Sequence, residues 1–173
     1  ESDTSSEYGY KDIDPAAWDN DAIKWASQYG HVNVLKFLLA KKEENPELYG
    51  RIDPIFGDNL AFQWASQFGY LEVVELLLAK KEENPELFGG IDPAADSNCA
   101  IRWASRSGHV EVVKLLLAKK EKPGMYGGID PAARGNEAIQ FASKFGHVKV
   151  VEFLLGKKEE NPELYGEISL EED

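Results

Sequence analysis

One segment of about 39 residues is written four times in this chain of 173 residues. Each copy opens with the tripeptide Ile-Asp-Pro, and the copies begin at Ile13, Ile52, Ile91 and Ile129. A repeat of this length marks an array in which each unit packs its apolar surface against the next unit. The repetition therefore predicts an elongated stack, a type of architecture that binds other molecules more often than it catalyses reactions.

The copies divide the chain into four repeats and two flanking segments. Residues 1–12 form an N-terminal segment that resembles the end of a preceding repeat, and residues 168–173 form a C-terminal tail or a truncated next repeat. The four repeats are predicted at residues 13–51, 52–90, 91–128 and 129–167.

Composition excludes several classes of protein. The net charge of −12 argues against a nucleic-acid partner, because phosphate binding depends on clustered Lys and Arg. No segment is apolar enough for insertion in a membrane, and the acidic, polar start does not resemble a signal peptide. The single cysteine, Cys99, cannot form an internal disulfide. The absence of a visible signal peptide or disulfide framework favours an intracellular location, which the sequence does not identify further.

Each repeat is predicted to contain two helices. In the first repeat, Asn20 is a good residue to cap the start of a short helix, and Gly30 is a good residue to end it. A second helix over residues 32–44 is apolar around most of its circumference, which indicates that neighbouring repeats cover it on several sides. Leu116, in the third repeat, is expected to be buried in this way. The segment Asn-Pro-Glu-Leu-Tyr-Gly at 45–50 predicts one further helical turn before the next loop.

Residues 100–117 read Ala-Ile-Arg-Trp-Ala-Ser-Arg-Ser-Gly-His-Val-Glu-Val-Val-Lys-Leu-Leu-Leu and resemble the ankyrin repeat. The resemblance covers residues 13–167 and implies antiparallel helix pairs joined at Gly-His, with a projecting loop between repeats. The chain departs from the family in its longer period and in lacking the Thr-Pro-Leu-His opening. HEAT repeats have a more similar period, but they need longer helices than Gly30 and Gly69 allow. We therefore predict an all-α fold, an α-solenoid of four divergent ankyrin-like helix-turn-helix repeats with enlarged inter-repeat loops.

Residues that often carry chemistry recur here without a suitable arrangement. His31, His109 and His147 occupy the same place in their own repeats. Packed helices lie about 8–10 Å apart, whereas zinc ligands lie about 2 Å from the metal. The histidines are therefore predicted to begin the second helices, and no metal site is expected.

The remaining candidates for chemistry also favour structural roles. We expect Cys99 to be an inert, partly exposed thiol, and Glu43, Glu44 and Glu47 to form a solvated surface. No nucleophile with a partnered base and no Gly-rich phosphate loop is present, so the chain is predicted not to be an enzyme and to need no cofactor. One aromatic residue recurs on each first helix, and these residues are expected to be buried by packing: Trp25, Trp64, Trp103 and Phe141.

Positions that differ between copies, while their surroundings stay constant, are the candidate partner contacts. The resemblance implies that loop tips and the exposed side of the first helices line the binding face of a non-catalytic protein-binding or scaffolding module. The candidates are Trp18, Asp21, Lys24, Gln28, Gly57, Leu60, Gln63, Gln67, Asp96, Cys99, Arg102, Arg106, Arg134, Glu137, Gln140 and Lys144. A small excess of positive charge on these helices suggests an acidic or mixed-charge protein partner, and an exposed Trp18 would be a natural anchor.

The alternative function is self-assembly. End repeats of a soluble solenoid usually carry a polar outer face, yet the fourth repeat is as apolar as the others. We therefore consider that the chain stacks end to end into a filament or a longer array, through candidate contacts at Val151, Phe153, Leu154 and Leu155.

Overall fold

The computed structural model describes residues 14–122 and 124–170, and every regular element within these residues is an α-helix. The prediction of an all-α stack of helix pairs is confirmed. The predicted segment 1–12 and residues 171–173 lie outside the described residues. The helices are α1 (Ala17–Gln28), α2 (Val32–Glu44), α3 (Pro46–Tyr49), α4 (Phe56–Gln67), α5 (Leu71–Glu83), α6 (Pro85–Phe88), α7 (Ala95–Arg106), α8 (Val110–Lys120), α9 (Ala133–Lys144), α10 (Val148–Glu160) and α11 (Pro162–Tyr165).

The helices form two rows. The first helices, α1, α4, α7 and α9, pack side by side, and the second helices, α2, α5, α8 and α10, form a parallel row behind them. The first helices approach one another more closely than the second helices do, so they occupy the inner side of the stack. The one-turn helices α3, α6 and α11 follow second helices as predicted, and the side chain of an Asn caps each of them. Among the described residues of the third repeat no one-turn helix follows α8, where the sequence reads Lys-Pro-Gly-Met at 122–125 in place of the Asn-Pro-Glu-Leu of the other repeats.

The first helices begin differently from the prediction. Three residues near the start of each have left-handed backbone angles, and in α1 these are Trp18, Asp19 and Asn20. Asn, Asp and Gly tolerate this conformation best, and they fill most of the equivalent positions in α4, α7 and α9. The Asn20 side chain does not serve as the helix cap that the sequence suggested, because its Oδ1 accepts a hydrogen bond from the N–H of Asp53 in the next repeat.

The repeated Asn joins neighbouring repeats instead. The buried Asn59 Oδ1 accepts a hydrogen bond of 2.9 Å from the backbone N–H of Asp92, which opens the following repeat. Asn20 and Asn98 make the same bond to Asp53 and Asp130. A buried, satisfied side-chain amide fixes geometry because either partner alone would be costly to leave unpaired.

The Gly that ends each first helix is also a contact between repeats. Gly69 has a φ of 75°, as a helix-ending glycine commonly does. The ring of His109, from the next repeat, packs against it so closely that a Cβ on Gly69 would overlap the ring. His147 packs on Gly108 in the same way, and its Nε2 lies 2.8 Å from the Arg106 carbonyl oxygen. His109 and His147 therefore pack on the preceding repeat as well as standing at the start of the second helix.

The second helices form the centre of the apolar core. Leu116 is fully buried, as predicted, together with Val113 and Leu117 on the same helix. At the end of α5, Lys81 is also buried, and its Nζ donates to the carbonyl oxygens of Gly89 and Ile91. Burial lowers the pKa of Lys81. Equivalent lysines in the other repeats bind the backbone in the same way, so this residue holds the enlarged loop against the stack.

A row of ion pairs connects the ends of the second helices. Lys80 of the second repeat lies 2.7 Å from Glu43 of the first repeat. The same pairing joins Lys119 to Glu82, and Lys157 to Glu121. The prediction that Glu43 belongs to a purely solvated surface is wrong, because this carboxylate is partly buried and pairs with the next repeat.

The described C-terminal residues continue the pattern of the repeats. Ile168 is fully buried, like the Ile that opens each internal repeat. The N–H of Ser169 donates to Asn136 Oδ1 at 2.9 Å, in the same way that Asp130 donates to Asn98. This segment therefore makes the first contacts that a following repeat would make.

Candidate protein-binding surface

Aromatic side chains recur along one face of the first helices. We call this set the aromatic row, and it consists of Trp25, Tyr29, Trp64, Phe68, Trp103, Phe141 and Phe145. The residues occupy two aligned positions, four residues apart, so they share one face of each helix. Trp25 is 51% exposed and Tyr29 52%, and the other five are partly buried or exposed. The prediction that the repeated Trp position is buried is therefore wrong.

Contacts between rings hold the aromatic row in place. Trp25 and Tyr29 stack with ring centroids 5.9 Å apart, and Phe141 and Phe145 lie 6.5 Å apart. These distances are within the range of favourable aromatic pairs. Ordered rings lose little conformational entropy when a partner binds them, which makes them effective contact residues.

Arg106 joins the aromatic row across two repeats. Its guanidinium carbon lies 4.7 Å from the Trp103 ring centroid, on the same helix, and 5.3 and 5.1 Å from Phe141 and Phe145 on the next first helix. An arginine among three rings is held by cation–π contacts while its charge stays partly accessible. This cluster combines aromatic and Arg side chains, which are the types most enriched among energetically dominant interface residues.

The structure separates the predicted contact residues into three groups. Those exposed are Trp18, Gly57, Asp96, Arg134 and Lys144, with Trp18 84% exposed. Those partly buried are Asp21, Lys24, Gln28, Leu60, Gln67, Arg106, Glu137 and Gln140. Those buried are Gln63, Cys99 and Arg102, so the prediction that they contact a partner does not hold for these three.

Two of the four cations that give the first helices their predicted excess of positive charge are already paired in the structure. Arg102 is buried and holds the Glu137 carboxylate, with its Nε and Nη2 each 2.7 Å from one oxygen. Its Nη1 also donates to the Asp96 and Ser97 carbonyl oxygens. Lys24 pairs with Asp21 at 2.6 Å. Among the four cations proposed from sequence, Arg106 and Lys144 remain as charges that a partner could meet.

Arg102 and the equivalent Gln63 have a structural role. The Gln63 side chain donates to the Asp58 carbonyl, so both residues bind backbone oxygens of their own left-handed turn. Burial raises the pKa of Glu137, but hydrogen bonds from Arg102 and Arg134 outweigh it and leave the pKa below its ordinary value. The position that Gln63 and Arg102 share in their repeats therefore stabilises the left-handed turn near the start of the first helix.

The features considered for chemistry give no reactive arrangement. Cys99 is buried and not partly exposed as predicted, and burial raises the pKa of its thiol to about 11, which keeps it protonated at neutral pH. Within residues 14–122 and 124–170, no group of three or more His, Cys, Asp or Glu is placed to hold a metal ion. No helix in that part of the chain is long and apolar enough to cross a membrane.

The predicted end-to-end contacts lie on α10. Leu154 is fully buried and therefore cannot contact a second molecule, which corrects the prediction for this residue. Val151, Phe153 and Leu155 are partly buried and pack at the edge of the core. They remain candidates.

Three of the seven residues of the aromatic row were not predicted from the sequence. Tyr29, Phe68 and Phe145 were not singled out, although each lies four residues after a residue of the repeated Trp position. That spacing places both residues of a pair on one helical face, and this face has no other apolar neighbour to cover it. The spacing was the available signal, but the sequence did not show whether the face was covered.

Comparison with known proteins identifies the family. A family model described as ankyrin repeats, with three copies, matches residues 63–165, which is more than half of the chain. No curated protein matches the chain, and no solved structure matches it. The chain therefore belongs to the ankyrin repeat family, whose members are generally protein–protein interaction modules and are typically not enzymes.

Proposed function

We propose that this chain is a protein-binding module whose partner covers the aromatic row on the first helices. The observation that carries the proposal is a set of seven aromatic residues on one face, four of them exposed and three partly buried, whereas a folded monomer usually leaves few large apolar side chains together at its surface. The face is continuous because the first helices pack side by side. A partner that buries these rings would gain the apolar contact area that dominates interface energetics.

The partner is expected to present apolar side chains toward the rings. Because Arg102 and Lys24 are already paired, a strongly acidic surface has little to bind on this face. One carboxylate beside Arg106 would fit, since the three rings hold that guanidinium in place. The partner is thus of amphipathic character, with an acidic residue near the junction of the third and fourth repeats. Trp18 lies apart from the row and is an additional candidate anchor.

The test is to isolate a partner with the purified chain and to measure its affinity for matched variants. Alanine at Trp25, Phe68 and Phe145 should each weaken binding, and the most central of them by about 2 kcal/mol or more. The control is Leu48→Ala, because Leu48 is comparably exposed but lies on the one-turn helix α3. A partner that binds all three variants normally and loses affinity for the control would place binding on the loops and overturn the proposal.

The charge contribution is tested separately. Replacing Arg106 with Gln should weaken binding and reduce its dependence on salt, whereas replacing the paired Lys24 with Gln should change neither. If both substitutions weaken binding equally, the partner binds the general positive charge of the first helices that the sequence suggested, and not Arg106 in particular.

Self-assembly through the ends of the stack is the second candidate function. It uses a surface separate from the aromatic row, and the observation that favours it is the apolar side of α10 that no further repeat covers.

A further inference from the structure

The fourth repeat exposes residues that are buried in every preceding repeat. Ser27, Ser66 and Ser105 are fully buried, but the matching Ser143 is exposed. Val113 and Leu117 are fully buried, but the matching Val151 and Leu155 are only partly buried. These positions differ only in whether a following repeat covers them. Among the described residues, nothing covers this copy of the interface that holds the repeats together.

A pocket marks the place of one missing contact. Gly30, Gly69 and Gly108 each lie under a ring of the next repeat, whereas a Cβ on Gly146 would meet nothing within 4 Å. The space above Gly146 is a pocket of about 160 Å³ with a mainly apolar lining. The lining residues are Ala142, Ser143, Gly146, His147, Val148 and Val151. The pocket is the seat for a ring equivalent to Tyr70, His109 or His147.

The first repeat presents the complementary face. His31 occupies the position of those rings and is exposed. Val34 is 47% exposed, whereas the matching Val73 and Val112 are buried. Ala22 is also exposed, whereas the matching Ala61 is buried. These three positions are thus accessible on the described part of the first repeat.

Charge is complementary in the same register. The ion pairs between repeats join a lysine to the glutamate that lies 36 or 37 positions earlier, as Lys119 joins Glu82. Lys41 begins this series and pairs with Glu44 of its own helix. Glu159 ends the series, is exposed, and has no lysine opposite it among the described residues. A first repeat placed after the fourth would bring Lys41 to Glu159.

We propose that the C-terminal end of the stack binds the first repeat of a second copy of this chain. In this arrangement His31 of the copy lies on Gly146, Val34 packs on Val151, and Lys41 pairs with Glu159. The contact is heterologous, so each bound copy leaves the same end free and the assembly grows as an open array. This inference rests on the second candidate function and is independent of the aromatic row.

The described C-terminal segment defines how the copy docks. Ser169 already donates to Asn136 and Ile168 is buried, so the chain itself supplies the first contacts of a fifth position. Ser169 already occupies the position that Asp14 of the second copy would take. The second copy therefore contributes its helices α1 and α2 to the junction, and not its Asp14. The junction between copies therefore has the packing of an internal interface without its covalent link.

The first test is sedimentation of the full chain over a wide range of concentration. The unmodified chain should form species that grow with concentration. Val148→Glu and Val34→Glu place a charge at either side of the junction, and both residues are exposed, so the fold should tolerate them. Each should weaken the association about tenfold or more. The matched control is Met125→Glu, which adds the same charge at an exposed apolar residue of the internal third repeat and should have no effect.

The second test exchanges the charges across the junction. Lys41→Glu and Glu159→Lys should each weaken association about threefold, because each puts like charges together. A mixture of the two variants should associate as strongly as the unmodified chain, since every junction in the mixture can then pair opposite charges. A mixture no stronger than the separate variants would overturn this register.

The remaining outcomes separate the inference from the candidate function. A chain that is monomeric at all concentrations overturns both self-assembly and the proposed junction. A chain that associates equally with and without Val34→Glu and Val148→Glu assembles through another surface, so self-assembly stands and the proposed junction falls. Neither result affects binding at the aromatic row.

Discussion

The third and fourth repeats share one sequence pattern but differ in what surrounds them. Leu117 of the third repeat is fully buried between its neighbours, whereas the matching Leu155 is only partly buried at the end of the stack. Gly108 lies under the ring of His147, whereas no described residue apart from its chain neighbours lies within 4 Å of where a Cβ on Gly146 would stand. In a solenoid, therefore, the burial of a residue is a property of the interface between repeats and not of the repeat itself.

The largest expected effect comes from the core residue of this comparison. Leu117→Ala should lower the free energy of unfolding by about 2 to 5 kcal/mol, because it removes buried apolar contacts and leaves a cavity. Leu155→Ala should cost clearly less, since solvent already reaches that side chain. Urea denaturation of both variants measures the difference. Equal losses would mean that the end of the stack is covered in solution.

The next effect isolates the contact between repeats at a glycine. Gly69 and Gly146 both have a φ of 75°, so replacing either with Ala causes the same backbone strain. Only at Gly69 would the new Cβ overlap the ring of His109. We expect Gly69→Ala to destabilise the chain by about 1 to 3 kcal/mol more than Gly146→Ala.

Thermal or urea unfolding of the two glycine variants provides the comparison, and Gly146→Ala is the built-in control for strain. If both lose the same stability in a dilute, monomeric sample, the His109 ring does not hold the repeats together. The same pair of variants also tests assembly. Gly146→Ala should weaken the association between copies, while the monomer should lose only the stability that the strained backbone costs.

The smallest expected effect concerns pH. Burial lowers the pKa of His109, against the opposing effect of its hydrogen bond with the Gln67 backbone, so the folded state resists protonation more than the unfolded state does. The unfolded chain therefore binds more protons below about pH 6.5, and the free energy of unfolding should fall as the pH is lowered through this region.

His109→Gln should remove part of this pH dependence, so it should cost more stability at pH 8 than at pH 5, where the unmodified chain has already lost stability through the lowered pKa of His109. His31→Gln is the control, because His31 stands at the same position of the first repeat and is exposed. Denaturation midpoints between pH 5 and 8 measure both. If the two variants lose the same pH dependence, the partly buried ring of His109 is not the group that causes it.

Much of the fold could be predicted from the sequence because the fold is built from local rules. The spacing of the Ile-Asp-Pro steps fixed the number of helix pairs, and Gly30 marked where a first helix ends. The Asn-Pro start predicted the one-turn helices, where Asn45 accepts a hydrogen bond from the Leu48 N–H. Each of these signals depends on residues that are close in sequence, so the pattern alone was sufficient.

The candidate site was harder to predict, because exposure depends on residues distant in sequence. Arg102 was expected to face a partner, but Glu137 on the next helix binds it. Trp25 was expected to be buried, but the neighbouring first helix does not cover it. In both cases the side chain's chemistry was evident from the sequence, and its surroundings were not.

The sequence by itself determined the repeat, the helix pairs and the apolar interior, since helix-ending, capping and turn-forming residues act within a few positions of one another. Only the tertiary structure decided that Asn20 joins two repeats rather than capping a helix, that Lys81 is buried beneath its loop, and that the end of the fourth repeat remains open. The contacts of Asn20 and Lys81 join residues 8 to 33 positions apart. Such contacts form only after the repeats have stacked, so each depends on whether a neighbouring part of the stack is present.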